Sequence, residues 1–469
     1  MRSFHTGACA DQASGQTSHA LLSTRILLIL LVSALGAHAD FDIPPLKFEQ
    51  RTQDNGLRVI WLEDHSTPVV AIQVWYHVGS KNDPDGRSGF AHLFEHMMFK
   101  GTKRMPSEFV DRLTEDVGGE NNAYTSNDVT VYHEVVPSNH LERLLWAEGE
   151  RLSALTVNRT NFMTERDVVK EEFRQSVLSQ PYGEFGEFIQ KQSFIEHPYK
   201  RPTIGNIAEL DASSFEEVLA FHSTFYRPDN ATLIVAGDFD PASLQRWVDQ
   251  YFSSIKKPET AIPRVETKEP PRAKERLIRE YDEKVPLPAL ALTFLAAPAK
   301  GEQRAAWQVI ETVLGEGDSS RLYRSLVYEK QLAQSVEFYA DLREDLGLPT
   351  CQVVLASGVD VEKARTALLA EFDRISREAI SDGELKRAKN QLLAQKLHGR
   401  ETAAGKAEAI AEAAVLLGDA NAVNLELPEI QKVTTEQVLA VARECFTDAN
   451  RLVIEYLPAA MKPATKPKK

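Results

Sequence analysis

The sequence predicts a mixed helix and strand protein built of two related halves, and a repeat, a linker and a shared order of elements predict it. Val218/Val438, Leu219/Leu439, Ala220/Ala440, Asn230/Asn450 and Ile234/Ile454 match at a constant offset of 220 residues. The grammar around them is the same twice: a helix, an aromatic turn, an Asn and a β-branched strand. Between the copies, residues 256–271 are charged and proline-rich without an apolar period, the composition of a semi-rigid linker. Each half carries a strand-like run ahead of a helix, 69–78 before the helix that holds His92 and 290–295 before 305–314.

Taken in order, the chain first presents Arg25, an apolar block at 26–37, and Ala37-His38-Ala39, an A-x-A cleavage site before Asp40. The block is too short to span a bilayer comfortably and reads as a secretory signal peptide over 1–39, which points to a bacterial periplasm. A mitochondrial address is the alternative, but transit peptides are amphipathic and Arg-rich, and this block is uniformly apolar. The chain of 469 residues is 43% hydrophobic and 26% charged with net charge -14, ordinary for a large globular protein and without a basic face for nucleic acid. No stable membrane insertion is expected after signal cleavage.

Next comes His92-Leu-Phe-Glu95-His96. On a helix at about 100° per residue, His96 lies roughly 40° from His92 and Glu95 roughly 60° on the other side. Two imidazoles one turn apart can hold a zinc ion, and a carboxylate beside them can take a proton from a water at that metal. The order H-x-x-E-H is the reverse of the common H-E-x-x-H zinc signature. A further ligand is needed, and the best supply of carboxylates is the helical segment 162–175, with Phe162, Val168, Val169 and Phe173 as its apolar stripe. Glu165 and Glu172 are two turns apart on nearly one face, whereas Glu171 points about 100° away. One can bind metal while the other orients a ligand.

These residues carry a resemblance. The stretch from Gly89 to Thr102, the run Gly118-Gly119-Glu-Asn-Asn122-Ala123-Tyr-Thr125-Ser-Asn-Asp128-Val-Thr130-Val-Tyr132, and Glu165 through Glu172 are similar, in this order, to the pitrilysin/insulinase family of zinc metallopeptidases, the inverzincins that include the mitochondrial processing peptidase. The 76 residues from His96 to Glu172 match that family's spacing between its second histidine and its glutamate ligand. The resemblance implies one Zn2+ per chain on His92, His96 and Glu172, Glu95 as general base, and Glu165 behind the ligands. It implies an α+β fold of two homologous domains, each with helices packed on a mostly antiparallel sheet, the chain forming half of a clam-shell chamber. Asn122 and Ala123 then lie on an edge strand to which a peptide adds through backbone hydrogen bonds. The expected boundaries are signal peptide 1–39, zinc-binding domain 40–255, linker 256–272, homologous domain without a metal site 273–458 and a disordered tail 459–469.

In one place the chain departs from the family. Self-sufficient members carry an Arg and, seven residues later, a Tyr in the second half; here those positions hold Val327 and Gln334, with Arg321, Tyr323 and Tyr328 as substitutes in a shifted register. Losing both groups removes donors that stabilise the oxyanion. The expectation is therefore a secreted zinc endopeptidase for short or unfolded peptides, the zinc-bearing subunit of a heterodimer whose homologous partner supplies the Arg/Tyr pair. A non-catalytic scaffold or peptide-binding chamber subunit is the alternative, although such relatives usually lose the H-x-x-E-H residues, intact here. Of three cysteines, Cys9 falls in the leader, and Cys351 and Cys445 are expected as buried free thiols with no metal role.

Overall fold

The computed structural model describes residues 43–463. The expected signal peptide and residues 464–469 of the expected tail lie outside the described residues; Ala459–Met461, at the start of that expected tail, form a 3-10 turn. The first half runs β1 (Glu49–Thr52), β2 (Arg58–Glu63), β3 (Val69–Tyr76), α1 (Phe90–Met97), α2 (Phe109–Glu115), β4 (Glu120–Thr125), β5 (Thr130–Pro137), α3 (Leu141–Ala154), α4 (Arg159–Phe173), α5 (Phe185–Ser193), α6 (Ile207–Asp211), α7 (Phe215–Phe225), β6 (Ala231–Gly237) and α8 (Pro241–Phe252). The second runs β7 (Arg276–Asp282), β8 (Ala289–Thr293), α9 (Arg304–Gly315), β9 (Ala333–Tyr339), β10 (Thr350–Leu355), α10 (Val361–Arg377), α11 (Asp382–Gly399), α12 (Ala403–Val415), α13 (Ala422–Lys432), α14 (Thr435–Cys445) and β11 (Leu452–Pro458).

Each half has one sheet, ordered β1-β2-β6-β3-β5-β4 and β7-β11-β8-β10-β9. Strands β2, β6, β3, β5 and β4 correspond to β7, β11, β8, β10 and β9, and in both sheets one pair is parallel (β2 with β6, β7 with β11) while the others are antiparallel. The fold is α+β with two homologous halves.

The repeated Asn explains why the copies agree where they do. Asn230 Nδ2 donates to Phe225 O at the end of α7 (2.9 Å) and to His77 O just past β3 (3.2 Å). Asn450 Nδ2 donates to Cys445 O at the end of α14 and to Leu295 O just past β8, both at 2.9 Å. One amide thus closes a helix C-terminus and ties it to the neighbouring strand in each half. The two helices also start alike, with capping boxes of Ser214/Glu217 and Thr434/Gln437.

Strand β3 reads as nearly continuous apolar sequence because both of its faces are buried. Val70, Ile72, Val74 and Tyr76 point into the core beneath α1, α3 and α7, while Ala71 and Trp75 face α12 of the other half. Ala407, Ala411 and Ala414 of α12 are buried, and their small side chains let the helix lie close to Ile60, Val131 and Ile234. The exchange is mutual: Phe185 and Ile189 of α5 pack on Ala289, Ala291, Ile454 and Tyr456 of the second sheet, with Phe185 stacked on Tyr456 at 4.7 Å. Cys351 and Cys445 are buried free thiols, and burial pushes both thiols up.

Candidate metal centre

Helix α1 turns Phe90, Ala91, Leu93, Phe94 and Met97 into the core and leaves His92, Glu95 and His96 on the opposite arc. Its start is fixed by Gly89, at φ +94, where a Cβ would meet Ile204 O at 2.8 Å. The cap comes from six residues upstream: Asp83 accepts the N–H groups of Gly89 (2.7 Å) and Ala91 (2.9 Å). Burial pushes the Asp83 carboxyl up to about 7 against the pull of those bonds.

Helix α4 begins at Asn158, whose side chain accepts from Asn161 N. Its buried stripe is Phe162, Glu165, Val169 and Phe173. Val168, expected on that stripe, is 43% exposed, because the 3-4-4 spacing of the buried positions leaves it about 100° off the face. Glu171 also points outward, bonded to Arg174 and Gln175.

Glu172 turns instead toward α1. Its Oε2 lies 3.3 Å from His96 Nε2 and 3.8 Å from His92 Nε2, and one donor atom from each of the three residues falls within 4.8 Å of the others. Ligands about 2.0–2.2 Å from a tetrahedral zinc stand roughly 3.3–3.6 Å apart, so this all-N/O donor set fits such an ion with small side-chain adjustment. Two imidazoles and one carboxylate also leave a fourth position open, the arrangement of catalytic rather than structural zinc. The Glu172 side chain is 42% exposed, so the face is open.

Electrostatics follow the geometry. Burial lowers His92 to about 4, helped by His96 and only partly offset by Glu172, which keeps the imidazole neutral and able to donate its lone pair. Burial opposes the charge on His96, but Glu172 outweighs it and raises that group. Glu172 is lowered by the same contact. Glu95 is raised by burial, against a hydrogen bond from Thr125. Glu165 is 2% exposed, with Oε2 3.9 Å from His96 Nδ1 and Oε1 3.2 Å from Lys100 Nζ, so it stands behind His96 without a direct bond to it.

Strand β4, which holds Asn122 and Ala123, is the edge of the first sheet and, among the described residues, pairs only with β5. Val327 lies half-buried in a π-helical turn over Tyr323–Glu329, and Gln334 is exposed on β9, the edge of the second sheet. Of the substitutes, Arg321 spends Nε and Nη2 on Glu384 (2.8 and 3.1 Å), and Tyr328 is 76% exposed. Sequence reasoning missed Asp83, Thr125 and Tyr132 as supports of α1. Thr125 Oγ1 donates to Glu95 Oε2 at 2.6 Å and Tyr132 OH to Phe94 O at 3.2 Å; both lay in the motif after Gly118, but nothing in a linear motif names the bond each makes. A cavity of about 810 Å³ between the halves, lined by residues such as Asp85, Glu187, Arg201 and Tyr281, does not include the three convergent donors.

Among known proteins, the family model described as Insulinase (Peptidase family M16) matches residues 58–207, and the model described as Peptidase M16 inactive domain matches 213–392. Zinc protease PqqE of Helicobacter pylori is 28% identical over 439 residues, covering 92% of this chain and 97% of that protein. The crystal structure of a protease from Helicobacter pylori superposes with a TM-score of 0.84 at 28% identity, over 88% of this chain and all (100%) of that one. The periplasmic protease PqqL from Escherichia coli shares the fold, with a TM-score of 0.72 at 22% identity over 91% of this chain and 49% of that chain.

Proposed function

The chain belongs to the pitrilysin/insulinase (M16) family of peptidases, and from that premise we propose that it is a secreted, periplasmic zinc endopeptidase for short or unfolded peptides, working as the zinc-bearing subunit of a heterodimer. The observation that carries the chemistry is the convergence of His92, His96 and Glu172 within 4.8 Å, with Glu95 on the same arc of α1. A zinc ion on these three residues supplies Lewis-acid polarisation and an acidified water. Glu95, half withdrawn from solvent and raised by burial, is suited to take a proton from that water and return it to the leaving amine. The open edge of β4 at Asn122 and Ala123 offers backbone hydrogen bonds to an extended peptide, which favours unstructured substrates of varied sequence. Glu165 orients the site from behind His96.

Pairing with a second subunit rests on Val327, which has no side-chain donor, and Gln334, which offers a neutral amide, at the positions of the Arg and Tyr, and on the exposed face of Glu172. The periplasmic address rests on the leader and on the relative PqqL. The test is hydrolysis of an unstructured peptide by zinc-loaded protein, alone and mixed with a homologous subunit that carries an Arg/Tyr pair. Activity should appear in the mixture, and Glu95→Gln should abolish it while zinc is retained. Turnover of Glu95→Gln within a few fold of wild type ends the general-base assignment, and equal turnover by the lone chain ends the heterodimer.

A further inference from the structure

Resting on that reading, we propose that Thr125 is the positioning residue for Glu95 and that the second half holds Thr125 in place through Asp128. A glutamate on an open helix face turns about its terminal bond. The 2.6 Å hydrogen bond from Thr125 Oγ1 fixes the carboxylate plane through Oε2 and leaves Oε1 free to receive a proton. Among the described residues no other side chain donates a hydrogen bond to that carboxylate.

Thr125 is the last residue of β4 and pairs with Thr130 across a turn. Ser126 N donates to Val129 O (2.8 Å), and Ser126 Oγ accepts from Val129 N (3.1 Å), which closes the turn from inside. From outside, Ser80 N donates to Ser126 O (3.0 Å) and Lys81 N to Asn127 O (3.1 Å). The approach requires Gly79, since a Cβ there would sit 2.5 Å from the Asn127 carbonyl.

Asp128, 5% exposed, joins this turn to the other half. Its Oδ1 accepts from Tyr199 OH (2.6 Å) and faces Lys81 Nζ (2.8 Å), and its Oδ2 accepts from Glu344 N (3.2 Å). Glu344 and Asp345 belong to the connection between β9 and β10. Their carboxylates return to the same lysine, 2.6 and 2.9 Å from Lys81 Nζ, and His77 Nε2 lies 2.8 Å from Glu344 Oε2. A short chain of partly buried polar contacts and one tight turn therefore runs from the second half to the Glu95 carboxylate. It gives that half a task at the reacting centre without any residue of its own there.

The test compares Thr125→Val, Thr125→Ser and Asp128→Ala in zinc-loaded protein with its partner, and again without metal. In loaded protein Thr125→Val should lower kcat about 10- to 100-fold, with KM and zinc content within about twofold of wild type, and Thr125→Ser should recover most of the loss. Asp128→Ala should show the same split, and combining it with Thr125→Val should cost no more than the worse single change. In metal-free protein the thermal-midpoint shifts of Thr125→Val and Glu95→Ala should be non-additive. Wild-type kcat in Thr125→Val, or a loss in KM alone, overturns the positioning role, as do additive midpoint shifts. Multiplying kcat losses in the Thr125→Val/Asp128→Ala double variant overturns the arm through the second half. Should wild type bind zinc yet never cleave, the functional reading fails, and the metal-free cycle alone decides the contact between Thr125 and Glu95.

Discussion

Helices α1 and α9 occupy equivalent places in the two halves, yet only one could serve a reaction. In α1 the apolar residues cover one face, and the opposite arc looks toward α4 and β4. In α9, Ala305, Ala306, Trp307, Val309, Ile310, Thr312, Val313 and Leu314 are all buried, and α11, α13 and α14 close around it. The difference teaches that the duplicated scaffold is kept by core positions and by the amide closures of Asn230 and Asn450. His92, Glu95 and His96 stand on an arc that is covered over in the second half.

The largest effect that would break this comparison concerns the arc itself. Purified protein should hold about one zinc per chain, and His96→Ala or Glu172→Gln should weaken zinc affinity by at least about tenfold, whereas Glu171→Gln should leave it unchanged. Zinc retained in Glu172→Gln and lost in Glu171→Gln would move the ligand to Glu171. A smaller effect sharpens the symmetry. Asn230→Ala and Asn450→Ala each strand two carbonyls at helix and strand ends, and each should cost about 1–3 kcal/mol in urea unfolding. Costs that differ by more than about 2 kcal/mol would show that one closure is dispensable.

The smallest effect lies at the contact between the halves. Burial works against the charge on Asp345, but His197 and Lys81 outweigh it and hold the carboxyl at about 2; Glu344 is lowered likewise, by His77 and Lys81. A carboxylate whose folded pKa lies below the unfolded value of about 3.9 stabilises the fold above that value and loses this contribution as pH falls toward the folded one. Between about pH 4 and pH 2, wild type should therefore lose on the order of 1 kcal/mol more than Asp345→Asn. Parallel acid-unfolding curves for the two proteins would remove Asp345 from the account.

Much of this was legible in the chain. The 220-residue offset marked the two halves because closure needs the same Asn and capping needs side chains of the same kind at the same local spacing, and those are short-range signals. His92, Glu95 and His96 were legible for the same reason, since a helix fixes their arc. Helical geometry placed Glu165 and Glu172 on one face and Glu171 off it, and the resemblance to the family singled out Glu172 as the ligand. Asp83 and Thr125 were not, because their partners lie 6 to 30 residues away through a turn and a sheet edge, where no period connects them. Val168 was misread because a hydrophobic residue on an amphipathic helix is not obliged to be inside. The buried Glu165 shows the converse, a charge on the apolar stripe.

The mutual loan of α5 and α12 makes the two halves behave as a split protein whose fragments complement each other. Each sheet borrows cover from the other half: Trp75 and Ile234 lie under α12, and Ala291 and Ile454 under α5. A protease that nicks the chain between residues 256 and 272 should therefore cut the covalent connection and leave the assembly in one piece on a sizing column, whereas either fragment made alone should bare an apolar sheet face and aggregate. From Leu46 the described residues accordingly form one compact unit with a seam in the middle, and co-expression of the two pieces should recover them soluble.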